Sequence, residues 1–267
     1  MSRIAPLALA VVLSGGLAVP GRVLAQDAPD STSAALPTDS LAPYIPHQAP
    51  PDHTVRWYEP LAVMGGIGLL SALDQPVANH IRFHQSSGGL SAADTWSKFG
   101  TPVVYGPVTV GILAGGLIAH DPEVTKAGMR LAFSLLLAGV SNQALKAVVG
   151  RERPNANGNA FDFDPVHIDA SFPSGHTTMA FAMATSLADD VHPLWAKVSL
   201  YGIATGVGVS RMYQQDHWLS DVVGGAVLGI ASAKFASGRW TIFGLRAPSF
   251  LIKGGSPAIG WQFSFHE

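Results

Sequence analysis

Residues 131–154 read LAFSLLLAGVSNQALKAVVGRERP. Leu131–Leu145 carries no Asp, Glu, Lys or Arg; Lys146, Arg151 and Arg153 then arrive together, just before Pro154. An apolar run closed by cations and a proline reads as a buried helix that ends in a basic cluster. Working outward, the pattern recurs. Pro60–Leu73, Phe99–Ala119, Val198–Ser210 and Val222–Ala233 are equally free of charge, and Thr177–Leu187 is another apolar run. Short polar breaks rich in Pro, Gly, Asp or Ser separate them, and strand-like alternation is rare. The expected fold is all-α, a helical bundle of about six core helices.

Composition narrows the classes of function. The chain has 267 residues, 48% hydrophobic and only 13% charged, against about 25% charged in an ordinary soluble domain. That excludes an intrinsically disordered chain, which needs low hydrophobicity and high charge. Lys plus Arg number 16 and Asp plus Glu 18, a net charge of −2. With no basic surplus to release counterions, no nucleic-acid partner is expected. Cysteine is absent, which removes disulfides, thiolate nucleophiles and Cys-ligated zinc.

The two ends differ from the body. Arg3, the apolar stretch Ile4–Val19 and the small residues of Val23-Leu24-Ala25 predict a cleaved export signal over 1–25. Residues 26–55, with Pro29, Pro37, Pro43, Pro46, Pro50 and Pro51 among Ser, Thr and Asp, read as a linker. The helical domain is expected over 56–238. Residues 239–267 form a C-terminal extension: Ser249–Ile252, then a Lys253–Pro257 turn, then alternating Ile259, Trp261, Phe263 and Phe265 predict a hairpin packed on the bundle. Phe99–Ala119 alone clears the roughly 18-residue threshold for a spanning helix. The other runs are shorter, as in buried core helices of a soluble domain, whereas the low charge and the glycine pairs Gly65-Gly66, Gly115-Gly116 and Gly224-Gly225 suit close helix packing in lipid. The sequence leaves both readings open, with membrane association possible.

Charge is scarce, so its placement carries information. After the basic cluster comes a polar loop, Asn155–Ala170, and then Pro173-Ser174-Gly175-His176 opens an apolar run. Ser174 suits a helix N-cap, Gly175 allows close backbone approach, and a helix N-terminus attracts anions. Ser210-Arg211 precedes His217 and Asp221. Those two lie four apart, one helical turn, where a carboxylate can hydrogen-bond one imidazole nitrogen and leave the other as nucleophile. Fixed cations, a helix N-terminus, two histidines and an orienting carboxylate are what phosphoryl transfer without a metal requires. Each feature alone has a plainer reading: a helix-dipole partner, a simple cap, a helix-face contact.

Taken together they resemble the type 2 phosphatidate phosphatase superfamily, which includes bacterial acid phosphatases and vanadium haloperoxidases. Its signature is KxxxxxxRP, PSGH and SRxxxxxHxxxD. Lys146 with Arg153-Pro154, Pro173 to His176, and Ser210-Arg211 with His217 and Asp221 match every fixed position in order. The resemblance implies that His217 is the nucleophile, Asp221 orients it, and His176 protonates the leaving group and later activates water. Lys146, Arg153, Arg211, Ser174 and the Gly175 backbone would bind the phosphoryl oxygens. Arg151 lies outside the signature and is a candidate helper. No cofactor and no metal are implied. The expected activity is an exported phosphatase, at the periplasm or the periplasmic face of a membrane, acting on a phosphomonoester or lipid (di)phosphate through a phosphohistidine. Two rivals share the signature. In a vanadium haloperoxidase vanadate would fill the cradle, though such chains are generally much longer. A non-catalytic envelope binding protein would be expected to have lost part of the signature.

Other residues have plainer expectations. Asp162, Asp164, His167 and Asp169 match no cation-loop spacing and read as a solvated rim. Asp74, in an apolar stretch, needs a partner. Asp189-Asp190 ends a helix, where the dipole disfavours negative charge.

Overall fold

The computed structural model describes residues 51–156, 159–166, 170–253 and 256–260. The expected signal and nearly all of the expected linker lie outside the described residues. So do His167 and Asp169 of the rim, and Trp261, Phe263 and Phe265 of the tail.

Among the described residues eight α-helices follow in order: α1 (Tyr58–Leu70), α2 (Asp74–Phe83), α3 (Ser87–Ser97), α4 (Pro102–Ile118), α5 (Pro122–Val149), α6 (Gly175–Asp190), α7 (Leu194–Tyr213) and α8 (Leu219–Ala236). The all-α expectation holds. Each of the six apolar runs centres on one of these helices, and the short α2 and α3 lie between α1 and α4. Helix α5 shows why the boundaries fall where they do. Asp121 caps it, its carboxylate accepting the N–H groups of Glu123 at 2.9 Å and Val124 at 3.2 Å, and Pro122 occupies the first turn. Gly150 ends it at φ +60°, where its N–H returns to the Lys146 carbonyl at 2.9 Å. A Cβ at Gly150 would come within 1.9 Å of the Asp164 carbonyl oxygen.

Helix α6 is central and packs against α5, α7 and α8. Leu131, Leu135 and Ala138 of α5 meet Ala182 and Met183 of α6, flanked by Val104, Tyr105, Val108 and Ile112 of α4. On the other side Ala180 and Ala184 of α6 meet Ala204 and Val207 of α7. The interior is small and often hydroxylated: Ser134, Thr177, Thr178 and Thr185 are fully buried. The exterior is the reverse, with Leu61, Val103, Val110, Ile118, Leu136, Val140 and Val148 exposed. Small residues inside and branched apolar residues outside is the pattern of helices packed in lipid. Among the described residues four helical stretches, Tyr58–Phe83, Ser87–Ile118, Pro122–Val149 and Leu219–Ala236, are long and apolar enough to cross a membrane. The sequence reading found one, because it stopped each run at its first charge, whereas helices continue through short turns and through charges near their ends.

Asp189 and Asp190 prove to be paired: Lys234 Nζ lies 2.5 Å from Asp189 and Arg130 Nη2 lies 2.6 Å from Asp190. These contacts tie the far end of α6 to α8 and α5, offsetting the helix-dipole penalty. The expected hairpin is present over its described part: β3 (Ser249–Lys253) and β4 (Ser256–Gly260) are antiparallel, with Ser249 opposite Gly260. It docks on the bundle through Phe250, whose ring meets Phe133 of α5 edge-on at 5.8 Å. A second, unexpected pair joins β1 (His53–Val55) in parallel to β2 (Trp240–Ile242), tying the last residues of the expected linker to the first residues of the expected C-terminal extension.

Candidate active site

Four helix ends make the site. The C-terminal ends of α5 and α7 and the N-terminal ends of α6 and α8 carry the residues singled out from sequence. Lys146 is buried in the last turn of α5 and donates from Nζ to the Ala170 carbonyl. Beyond Gly150 the chain turns back on itself. Glu152 N–H donates to the Asp162 carbonyl at 3.0 Å, Asp164 N–H to the Gly150 carbonyl at 2.7 Å, and Ser171 N–H to the Arg151 carbonyl at 2.6 Å. The basic segment is therefore held by backbone bonds on two sides.

The Pro173–His176 segment is fastened from below and from the side. Asn142, one turn before Lys146 and buried, donates from Nδ2 to the Pro173 carbonyl at 3.2 Å and to Thr178 Oγ1 at 3.0 Å. Ser174 N–H donates to the Asp221 carbonyl at 3.0 Å, joining the second and third motifs directly. Ser174 occupies the N-cap position of α6, but its side chain does not cap the helix. Its Oγ instead accepts the Thr177 hydroxyl at 2.9 Å. The cap expected from sequence is thus corrected, because a hydroxyl one turn along competes for the same oxygen. The first-turn N–H groups of α6 retain their intrinsic pull on an anion. Gly175 begins this turn against Asn142, whose Oδ1 would lie 3.4 Å from an added Cβ.

His217 and Asp221 also depart from expectation. They are not one turn apart on a helix, since α8 begins at Leu219 and His217 lies in the turn before it. His217 Nδ1 stands 3.7 Å from Asp221 Oδ2, beyond hydrogen-bond range. That oxygen accepts the Trp218 N–H at 2.9 Å, the Asp half of a capping box. Asp221 therefore faces the ring as a charge while holding the first turn of α8. His217 is buried, and burial is the largest cause of its lowered pKa, partly offset by Asp221. His176 is lowered to about 4, by burial first and then by Arg211 and His217. Arg153 pushes in the same direction, and Asp216 opposes. Both rings are neutral at pH 7, and their mutual influence places them in one electrostatic site with the arginines.

Arg211 bonds Gln214 Oε1 at 2.6 Å and Asp216 Oδ2 at 2.5 Å. Arg153 Nη1 lies 3.9 Å from the other oxygen of Asp216. Two buried nitrogens, Arg211 Nε and His217 Nδ1, have no hydrogen-bond partner among the described residues. No group of three His, Asp or Glu side chains among the described residues is arranged to hold a metal ion.

A comparison with protein families gives the chain its place. The PAP2 superfamily model matches residues 127–241, the span that holds all three motifs. This stretch, less than half of the chain, is similar to the PAP2 superfamily. Within curated proteins, 101 residues are 39% identical to a lipid A 1-phosphatase of Porphyromonas gingivalis, covering 37% of this chain and 20% of that one. Another 31% identity, over 134 residues, links 50% of this chain to 62% of an undecaprenyl-diphosphatase of Sulfolobus acidocaldarius. The chain thus spans a fifth and about three fifths of the lengths of these relatives. The crystal structure of a transmembrane PAP2 type phosphatidylglycerolphosphate phosphatase from Bacillus subtilis shares the fold. It aligns with 68% of this chain and 95% of its own, at 23% identity and a TM-score of 0.55.

Three features of this PAP2 site were not read as part of it from sequence. Asn142 was hidden in an apolar run, although an amide within such a run was itself a signal. Asp216 was passed over because it belongs to no fixed signature position. Asp74 was noted without a partner; its partner is Arg151, 77 residues away.

Proposed function

We propose that this chain is a membrane-associated phosphatase that hydrolyses a lipid phosphate or diphosphate through a phosphohistidine. The observation that carries the reading is the convergence of His176, His217, Arg211 and Arg153 in one electrostatic site at the N-terminus of α6. The phosphoryl group would sit between that N-terminus and the cations Lys146, Arg153 and Arg211, with Ser174 and the Gly175 backbone completing the cradle. His217 Nε2, the nitrogen not facing Asp221, attacks phosphorus; the bond to the lipid oxygen breaks, and that oxygen takes a proton from His176. In the second step His176 removes a proton from water, which attacks the phosphohistidine and releases phosphate and the His217 ring. Asp221 balances the positive charge that the ring carries between the steps.

A lipid substrate is favoured by the apolar exterior of the helices and by the lipid phosphatases among the relatives. The catalytic end would face the periplasm, with residues 1–25 acting as export signal, 26–55 as linker, 56–238 as phosphatase domain and 239–267 as an extension. The test is phosphate release by detergent-purified protein, wild type and His217→Ala, in EDTA. The panel pairs p-nitrophenyl phosphate with dispersed phosphatidate and an isoprenyl diphosphate. Release by wild type alone, faster on a lipid, is the expected result. Release from p-nitrophenyl phosphate alone would overturn the lipid assignment, and no release from folded protein would overturn the activity.

A further inference from the structure

A buried ionic relay reaches the catalytic end from a helix outside the PAP2 match. Asp74, the first residue of α2, is fully buried within a stretch apolar enough to cross a membrane. A carboxylate in such a place requires a partner and a reason. Its Oδ1 accepts the Ser220 N–H at 2.8 Å. Its Oδ2 accepts Arg151 Nη2 at 2.7 Å and the Ser220 hydroxyl at 2.6 Å. Arg151 is buried too, and all its N–H donors are used. Nε and Nη2 share the Ala160 carbonyl at 2.9 and 2.6 Å. Nη1 donates to Ser220 Oγ at 2.7 Å and to Asp221 Oδ1 at 2.9 Å. The guanidinium also lies over the Trp218 ring, 5.5 Å from its centroid. Asp221 is thus clamped through Oδ1 by Arg151 and through Oδ2 by the Trp218 N–H, with Oδ2 turned toward His217.

We propose that Asp74 and Arg151 are a positioning pair that sets both the aim and the effective charge of Asp221 toward His217. The inference rests on the phosphohistidine reading and deepens it. Its physical basis is the count of buried charge. Two carboxylates share one guanidinium, so the cluster carries one surplus negative charge. Lys146 and Arg211 also act on His217 and disfavour a positive ring. When His217 Nε2 bonds to phosphorus the ring becomes cationic, and the surplus charge stabilises it. Without the Asp74 charge, Arg151 would be matched by Asp221 alone and no surplus would remain, at a site where low dielectric magnifies the difference.

The experiment compares wild type, Asp74→Asn and Ser220→Ala in detergent. The asparagine keeps the shape and the acceptor for Ser220 N–H but removes the charge; the alanine deletes only the bridging hydroxyl. Steady-state kinetics on p-nitrophenyl phosphate and a lipid phosphate are read beside the 15N imidazole resonances of histidine-labelled protein, with His217 assigned by its alanine variant. The expected result is a fall in kcat of tenfold or more for Asp74→Asn and about threefold for Ser220→Ala. KM and inhibition by inorganic phosphate should stay within twofold, because the phosphate cradle is not in the relay. The His217 resonances move in both variants. Folded Asp74→Asn with kcat within twofold of wild type and unmoved His217 resonances overturns the proposal, as does a loss confined to KM. If Asp74→Asn does not fold, Ser220→Ala decides by the same criteria. If wild type itself releases no phosphate, the phosphatase reading has failed separately, and the resonances alone decide whether Asp74 acts on His217.

Discussion

Asp216 Oδ2 lies 2.5 Å from Arg211 Nη2, and Asp216 Oδ1 lies 3.9 Å from Arg153 Nη1. One carboxylate therefore occupies both arginines that the signature assigns to phosphate. A phosphoryl group entering the cradle must share or displace it. Asp216→Asn is expected to lower KM and the inhibition constant of inorganic phosphate about fivefold, the equivalent of ~1 kcal/mol for a partly exposed ion pair. Competitive inhibition kinetics measure this. Weaker phosphate inhibition in the variant would mean that Asp216 holds the arginines in place for the substrate.

Beyond the orienting role proposed for it, Asp221 has two structural contacts: it caps α8 and pairs with Arg151. Asp221→Asn is therefore expected to lose both rate and stability. The rate should fall by about 10²- to 10⁴-fold, as when an orienting carboxylate is neutralised. The stability loss should be on the order of 3 kcal/mol, for a broken buried pair. Turnover measured beside thermal unfolding checks both; full stability with lost turnover would remove the capping role.

His176 gives the protein an acid-sensitive window. Above pH 6.5 the ring is neutral in folded and unfolded chains alike. Between pH 6.5 and about 4 the unfolded chain binds a proton that the folded chain refuses. Stability from this group is thus present above pH 6.5 and falls as pH drops through the window. The unfolding midpoint of wild type should decline across it, and His176→Asn should decline less. Identical pH profiles for the two proteins would contradict the depressed value. On the proposed scheme, a neutral His176 at pH 7 means that bound phosphate would have to help it hold the proton it donates.

Two glycines should respond oppositely to the same change. A Cβ at Gly229 of α8 would meet the Thr178 carbonyl oxygen of α6 at 2.4 Å, whereas Gly65 of α1 has nothing within 4 Å. Gly229→Ala should destabilise by about 1–3 kcal/mol through overpacking. Gly65→Ala should be neutral or stabilising by up to about 1 kcal/mol, through helix propensity. Unfolding midpoints in one detergent decide the comparison.

Vanadate should inhibit, since it adopts the five-coordinate geometry of phosphorus under attack, while EDTA should leave the rate unchanged. A rate that disappears in EDTA and returns with a divalent ion would contradict the metal-free scheme.

What the sequence determined by itself was local and chemical. Charge-free runs such as Leu131–Leu145 announce helices because a helix satisfies its own backbone wherever it is buried. The three motifs are the sequence ground for the proposed phosphate chemistry, because cations, a helix N-terminus and paired histidines are otherwise rare in a chain with so little charge. Distance and direction were decided only by the tertiary structure. His217 and Asp221 looked like helix neighbours, yet α8 starts between them and the capping of Trp218 sets their separation. Ser174 looked like a cap, yet Thr177 takes its oxygen. Asp74 had no visible partner because its partner is 77 residues away, and no periodicity connects positions so far apart. A buried charge must find its counter-charge, but which one it finds depends on how the helices pack.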